Sequence, residues 1–245
     1  MIITAHSNIL ESSTVSLEAG TEDPSFPLYR LCDRNIGRMF RSTLAETIEI
    51  KVDQGASGNK AIDRLLIPSG HNLSGMTLDI KYSDDDVSYS PAAAQWAGTP
   101  GIIDKSWAPA THRYWKFIIT SPGSIPEIPE LFLSASYTWD KNPSRPAGAL
   151  DKEHNVSNAL TASGQDRFLV HGSPKLRRDY RVPRCGESQK DALLSLNDSW
   201  GGSRPFWLWD HTGQWIYGKL TAPMDITEVA YQTYSLSFGF LEVLP

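Results

Sequence analysis

At 245 residues the chain has room for two modest domains with their own cores, and 40% hydrophobic with 21% charged residues is the make-up of an ordinary globular protein. A net charge of only −5 leaves no basic excess to neutralise a phosphate backbone, which argues against nucleic acid as a partner. No apolar run approaches the roughly 20 residues that span a bilayer, and the first residues lack the regions of a signal peptide, so the chain is expected to stay where it is made, without membrane insertion.

Eight Trp, nine Tyr and a scatter of Gly and Pro suit many short strands joined by tight turns. Between Thr47 and Val52 polar and apolar side chains alternate, the period of a half-buried strand, and the pattern ends at the turn-rich stretch Asp53 to Asn59. Ile62, Leu65, Leu66 and Ile67 form a short apolar run closed by Pro68, Ser69 and Gly70; Met76, Leu78, Ile80 and Tyr82 then resume alternation. Trp115, Phe117 and Ile119 alternate again, Leu131, Phe132 and Leu133 close the segment, and no helical period of useful length precedes Ser136. The stretch Asp140 to Gly148, with Asn142, Pro143, Ser144, Arg145 and Pro146, breaks both periods and sets a domain boundary, giving domains 1–137 and 138–245. Beyond it, Arg167 to Val170 and Asp179 to Val182 read as strands. From Ser188 to Trp200, Leu193, Leu196 and Trp200 share one helical face, with Ser188 and Asp191 as capping residues and Gly201-Gly202 as the stop. Strands follow at Pro205 to Trp209, Trp215 to Leu220 and Tyr234 to Phe240. The expected fold class is all-β, with the second domain a β-sandwich or barrel carrying one α-helix.

The motifs of covalent chemistry are missing. There is no Gly-x-Ser-x-Gly elbow and no glycine-rich turn opening a helix. His6, His71, His112, His154, His171 and His211 are scattered with no pair at metal-ligand spacing, and Cys32 and Cys185 are too few and too distant for a disulfide framework or clustered zinc site. Asp84-Asp85-Asp86 presents hard oxygen ligands that suit calcium. It lacks the glycine and the closing glutamate of an EF-hand loop, however, and reads as a hairpin turn. A glycosidase needs two carboxylates converging on one cleft, and 28 acidic residues in one sequence do not identify such a pair. The expectation is a non-enzymatic protein with no catalytic residue, cofactor or metal ligand.

Much of residues 24–135 resembles the discoidin, or galactose-binding-like, jelly-roll family. Tyr29-Arg30-Leu31-Cys32-Asp33-Arg34-Asn35 leading to Phe40-Arg41-Ser42 is similar to that family's early segment, and Ile48 to Gln54 followed by Ile62 to Ile67 to its paired core strands. Tyr82-Ser83-Asp84-Asp85-Asp86-Val87-Ser88-Tyr89 resembles its Ser-Asp-Asp-Gly hairpin, with Asp86 where glycine is usual. Arg113-Tyr114-Trp115-Lys116-Phe117 resembles the aromatic strand near the end and Glu130-Leu131-Phe132-Leu133 the closing strand. The resemblance implies a jelly-roll recognition module binding sugars, lipids or proteins through loops at one end. Trp96 and Trp107, in the loop-rich stretch before the aromatic strand, are the candidate glycan contacts, set against ordinary core or rim packing.

The C-terminal half resembles the small β-sandwich of phage tail hub proteins, the distal tail and minor tail group. The resemblance rests on Gly172-Ser173-Pro174-Lys175 with Arg177-Arg178, the helix Glu187 to Trp200, Gly201 to Asp210, Tyr217-Gly218-Lys219-Leu220 and the strand Tyr234 to Phe238. It departs in domain order, since the best-known distal tail proteins place the hub domain first. What it implies is a virion structural protein of a phage or prophage tail tip or baseplate. Such a protein is made in the bacterial host cytoplasm, assembles as a homo-oligomeric ring, and contacts the tail tube, other baseplate proteins and host-surface glycan. A free lectin-like carbohydrate-binding protein is the alternative. Phe206 and Leu208 point to one face of their strand and Trp207 and Trp209 to the other, so Trp207 and Trp209 are candidate subunit-interface residues, with burial in their own domain the competing reading.

Overall fold

The computed structural model of the chain describes residues 2–56, 59–120, 123–144, 151–160, 166–200, 204–210 and 212–244, with 151–160, 166–172 and 197–200 described by backbone alone. Two compact units emerge: Ala5–Tyr137, and Met1–Thr4 together with Thr138–Leu244. Strand β1 (Ile3–Ala5) straddles that division; the first unit then contains β2 (Thr14–Ala19), β3 (Phe40–Arg41), β4 (Ile48–Asp53), β5 (Ala61–Ile67), β6 (Thr77–Ser83), β7 (Ser90–Pro91), β8 (Trp96–Ala97), β9 (Ile103–Thr111), β10 (Tyr114–Thr120), β11 (Glu127–Ile128) and β12 (Phe132–Ser134).

The first unit is a β-sandwich. One sheet runs β2-β4-β10-β6-β7 with β8 also on β6, the other β12-β5-β9, and β11 pairs with β3 beside them. Alternation puts Ile48, Ile50 and Val52 of β4, Leu78 and Ile80 of β6, and Trp115, Phe117 and Ile119 of β10 into one buried cluster with Ile62, Leu65 and Ile67 of β5. Each such side chain contributes about 1.5–3 kcal/mol by leaving water, so the period-2 pattern is what holds the sheets together.

The second unit takes β13 (Tyr137–Thr138), β14 (Asp151–Leu160), β15 (Asp166–Cys185), α1 (Glu187–Trp200), β16 (Phe206–Trp209), β17 (Trp215–Leu220), β18 (Asp225–Ala230) and β19 (Thr233–Glu242). Its sheet runs β13-β1-β16-β17-β19-β15-β14, and β18 pairs with β19 off that path. Strand β19 is the spine: β15 lies along one side from Tyr234 to Leu241, while the other side pairs with β18 over Thr233–Ser237 and with β17 over Phe240–Glu242, so the sheet branches there. A buried ion pair of Arg178 with Asp210, which also accepts from the Tyr180 hydroxyl at 3.2 Å, ties β15 to the end of β16.

Several local expectations change. The two short strands expected near 167–170 and 179–182 are one strand, because Gly172-Ser173-Pro174 forms a bulge between the pairs Asn155↔His171 and Glu153↔Lys175; a proline without an N–H is tolerated at such a bulge. Helix α1 starts at Glu187, so Ser188 lies inside it and does not cap it. The Gly186 carbonyl accepts from Lys190 N, and the Gln189 side chain bonds both backbone groups of Lys141. Leu193 and Leu196 are buried; the side chain of Trp200, the stop Gly201-Gly202 and the linker residues 145–148 lie outside the described residues.

Candidate functional site

On β4, β10 and β6 every second side chain points away from the core, and the pairings Lys116↔Lys51 and Lys116↔Lys81 place three lysines in one row across the outer face. Each has a carboxylate. Lys51 Nζ lies 2.8 Å from Glu18 and 3.0 Å from Asp86, Lys116 Nζ 3.0 Å from Glu49, and Lys81 Nζ 3.5 Å from Asp79. Hydrogen bonds to Glu18 and Asp86 hold the Lys51 ammonium above the ordinary lysine range.

The connection 84–95 folds back along this face as a strap. Its turn is closed by Asp85, whose Oδ1 accepts from Ser83 Oγ at 2.7 Å, Ser88 N at 2.8 Å and Val87 N at 2.9 Å. The amides of Ser88 and Val87, then the Ser83 hydroxyl, bring the Asp85 carboxyl down to about 2. Asp84 takes His112 Nδ1 at 2.9 Å, and Asp86 accepts from the Tyr89 hydroxyl at 2.5 Å while meeting Lys51. The three aspartates thus serve three separate partners in a hairpin turn, and no group of metal-ligating side chains occurs among the described residues. Tyr89 lies over the sheet with Lys116 Nζ 4.4 Å from its ring centre; burial, then the bond to Asp86, raises its hydroxyl well above the usual tyrosine range. The strap rejoins the sheet where Ala92 N donates to Ile80 O at 2.8 Å.

Between strap and sheet lies a cleft of about 670 Å³, lined by Asp79, Lys81, Tyr89, Gln95 and residues 91–94, a proline followed by three alanines. Asp79 is its buried element, only 2% exposed. Its Oδ2 accepts from Gln95 Nε2 at 3.1 Å and faces Lys81, while its Oδ1 has no hydrogen-bond partner among the described residues. Oδ1 is itself closed off from solvent, so leaving it without a donor costs the fold about 1–3 kcal/mol, and the groups the cleft offers to a ligand are the Gln95 amide, the Lys81 ammonium and the Tyr89 ring.

The aromatic residues singled out in the sequence sit elsewhere. Trp96 pairs with Leu78 across β8 and β6 and packs on the core, with Lys105 Nζ 5.0 Å from its ring centre. Trp107 donates Nε1 to Ile62 O at 3.0 Å and lies 5.8 Å from Trp115, bridging the two sheets. Both rings lean on the core instead of standing as open platforms, and they belong to different sheets. Trp207 is fully buried, 5.0 Å from the Tyr217 ring, on β16, which lies inside its sheet between β1 and β17. Trp209 remains half-buried against Trp215 at 5.5 Å. Sequence reasoning missed Asp79, Lys81 and Gln95. The alternation that placed Leu78 and Ile80 inside put Asp79 outside by the same count, but nothing in the pattern showed that a strap covers this face.

No family model matches the chain, and no curated protein does. Among solved structures, chitosan-binding module 1 of the chitosanase/glucanase from Paenibacillus sp. IK-5 is similar at 18% identity and a TM-score of 0.46, covering 53% of this chain and 100% of the module. The module CpGH89CBM32-5 of Clostridium perfringens, solved with GalNAc-beta-1,3-galactose, is similar at 12% identity and a TM-score of 0.44, covering 53% of this chain and 100% of its own. A Ruminococcus gnavus GH29 fucosidase in complex with fucose is similar at 16% identity and a TM-score of 0.46 over 54% of this chain, which spans only 27% of that enzyme. These neighbours are carbohydrate-binding modules and a glycosidase; the tail-hub resemblance of the C-terminal half gains no support from them.

Proposed function

We propose that the first unit is a carbohydrate-recognition module that binds glycan in the Asp79 cleft. The observation that carries this is the cleft itself, where the amide of Gln95 and the ammonium of Lys81, both held at the buried Asp79 carboxylate, stand beside the ring of Tyr89. A sugar offers hydroxyls around an apolar ring face, and a cleft suited to it combines a few fixed polar groups with an apolar wall, here the alanines and the proline. Binding without hydrolysis is the fitting mode, since glycoside cleavage commonly employs two carboxylates and the cleft lining contains one. The test is a glycan array probed with the wild-type chain and with Asp79→Ala. The expected result is a defined set of bound glycans for the wild type and a loss of about tenfold or more in affinity for the variant. Equal binding by both chains rejects the cleft.

A second reading, a ring-forming component of a phage tail tip, is favoured by one feature of the second unit. Among the described residues, 166–176 of β15 pair with β14 alone and β14 is the last strand of the sheet, an arrangement of the kind that pairs with another chain. Light scattering over a concentration range checks this reading: a closed oligomer is its expected result and a monomer at every concentration counts against it.

A further inference from the structure

Independently of the glycan reading and resting on the ring reading, we infer that the chain self-associates head to tail: Tyr231, at the tip of the β18–β19 hairpin, seats in a pocket at the base of the same hairpin on a neighbouring copy. The hairpin is an arm. Five of the six residues of β18 are exposed and Ile226 is half-buried, so the strand pairs with β19 but buries little of its own surface. Near its end the register shifts between the pairs Glu228↔Tyr234 and Ala230↔Thr233, a bulge at Val229, which is 51% exposed. Tyr231 follows in the turn and is 86% exposed, with Gln232 beside it at a φ of 51°, a left-handed conformation that a residue with a Cβ adopts at a cost. A strained turn thus sets two large apolar side chains in water, two residues apart.

The pocket lies at the other end of the arm. Its volume of about 580 Å³ falls within the roughly 300–1,000 Å³ of sites that enclose a ring-bearing ligand, and its lining includes Ala222, Pro223 and the small Ser237 and Gly239. Asp179, Arg181 and Asp225 carry its charges, and the pairings Arg181↔Ser237 and Asp225↔Ser237 bring the last two to one face of the sheet. Asp225 opens β18 and Ala230 ends it, about 17 Å away along an extended strand, so Tyr231 does not reach the pocket of its own copy.

Tip and pocket match in chemistry. The alanine and proline offer an apolar wall to the phenol ring, and the Arg181 guanidinium suits its face. Two carboxylates against one guanidinium leave the pocket rich in acceptors, and the tyrosyl hydroxyl is a donor that brings no charge. The arm adds a carboxylate of its own, Glu228, so attraction between charges does not drive the contact; burial of the ring does, and salt, by screening Glu228 from the aspartates, strengthens it. Because tip and pocket are different patches, the contact is heterologous and repeats from copy to copy, closing into a ring where the rotation permits.

The test is light scattering of the full chain over a concentration range, wild type beside Tyr231→Ala, Tyr231→Phe and Ala222→Trp, with thermal melts to check folding. Both positions are exposed, so unchanged melting temperatures are expected. The expected result is a wild-type oligomer, association weakened by roughly ten- to hundredfold in Tyr231→Ala and in Ala222→Trp, whose indole fills the pocket, and only severalfold in Tyr231→Phe. A wild-type oligomer that persists undiminished in Tyr231→Ala or in Ala222→Trp overturns the contact while leaving the ring reading in place. A wild-type chain that is monomeric at every concentration overturns both.

Discussion

Asp86 shows how a single residue carries information that sequence reasoning reads only in part. It occupies the place where the resembled hairpin has glycine, and its φ of 61° is the left-handed conformation that glycine adopts freely. The departure from glycine has a purpose visible only in three dimensions, because the carboxylate holds Lys51 and the Tyr89 hydroxyl and so fastens the strap to the sheet. A second residue, Glu130, is fully buried, with Oε2 accepting from Arg34 N at 3.0 Å and Oε1 without a partner among the described residues. Burial, reinforced by the negative charges of Asp33 and Glu11 and opposed by Arg34, pushes its carboxyl up to about 9. In the unfolded chain the same group ionises near 4.5, so between these values the folded state holds a proton that the unfolded state has released, and stability falls as pH rises. His6 works in the opposite sense at lower pH. Burial, then Arg34 and Lys60, lowers it from 6.5 to about 4, so its contribution is present above 6.5 and lost as pH falls toward 4. Among the described residues, the window from 6.5 to 9 is that of Glu130. Glu130→Gln is expected to flatten the decline in melting temperature between about pH 6.5 and pH 9, raising it most at the alkaline end. Thermal melts across that range check it, and a parallel, unflattened decline in the variant would show that Glu130 is not the titrating group.

At the scale of elements, strands with one buried face were legible. Strands β4 and β19 alternate cleanly in burial because one face meets the core, while β6 and β10 keep the period in their core-facing residues but also bury Asp79 and Ile118 between them. Strand β9 was missed although Ile103, Lys105 and Trp107 share its inward face, because a lysine stem over Trp96 stands where the pattern demands an apolar residue. Strand β16 was found, but Phe206, Trp207 and Leu208 are all buried, so neither face stands out by exposure, and β1 and β17 flank it in the sheet. That flank comes from the far end of the sequence, which no local period reports. Ile2, Ile3 and Thr4 are buried, Ile2 N donates to Asn142 Oδ1 at 3.1 Å, and Trp139 N donates to Ile2 O at 3.0 Å. Removing Met1–Thr4 is expected to forfeit the burial of both isoleucines, about 2 kcal/mol each, and to leave β13 and β16 without their shared neighbour. Hydrogen exchange on the shortened chain reads this out. Protection should fall at 206–209 and 138–139 and persist in β4, β6 and β10, whereas undiminished protection of β16 would refute the strand's role.

For the molecule as a whole, composition and pattern carried the fold class, two all-β halves with one helix, and did not carry the site. The cleft is assembled from β6 and a strap whose residues look, in sequence, like a turn followed by a low-information Ser-Pro-Ala-Ala-Ala run. Aromatic residues drew the eye, yet Trp96, Trp107 and Trp207 serve packing, and the buried carboxylate at the cleft is an aspartate in the middle of a strand. The most direct test of glycan recognition at that place is amide chemical-shift mapping of the full 27.2 kDa chain during titration with a glycan retained on the array. Shifts concentrated at 79–81 and 89–95, absent in Asp79→Ala, are the predicted result. Shifts confined to the loops 68–76 and 98–102, with the cleft amides unmoved, would contradict the account and move the binding site to the end of the sandwich.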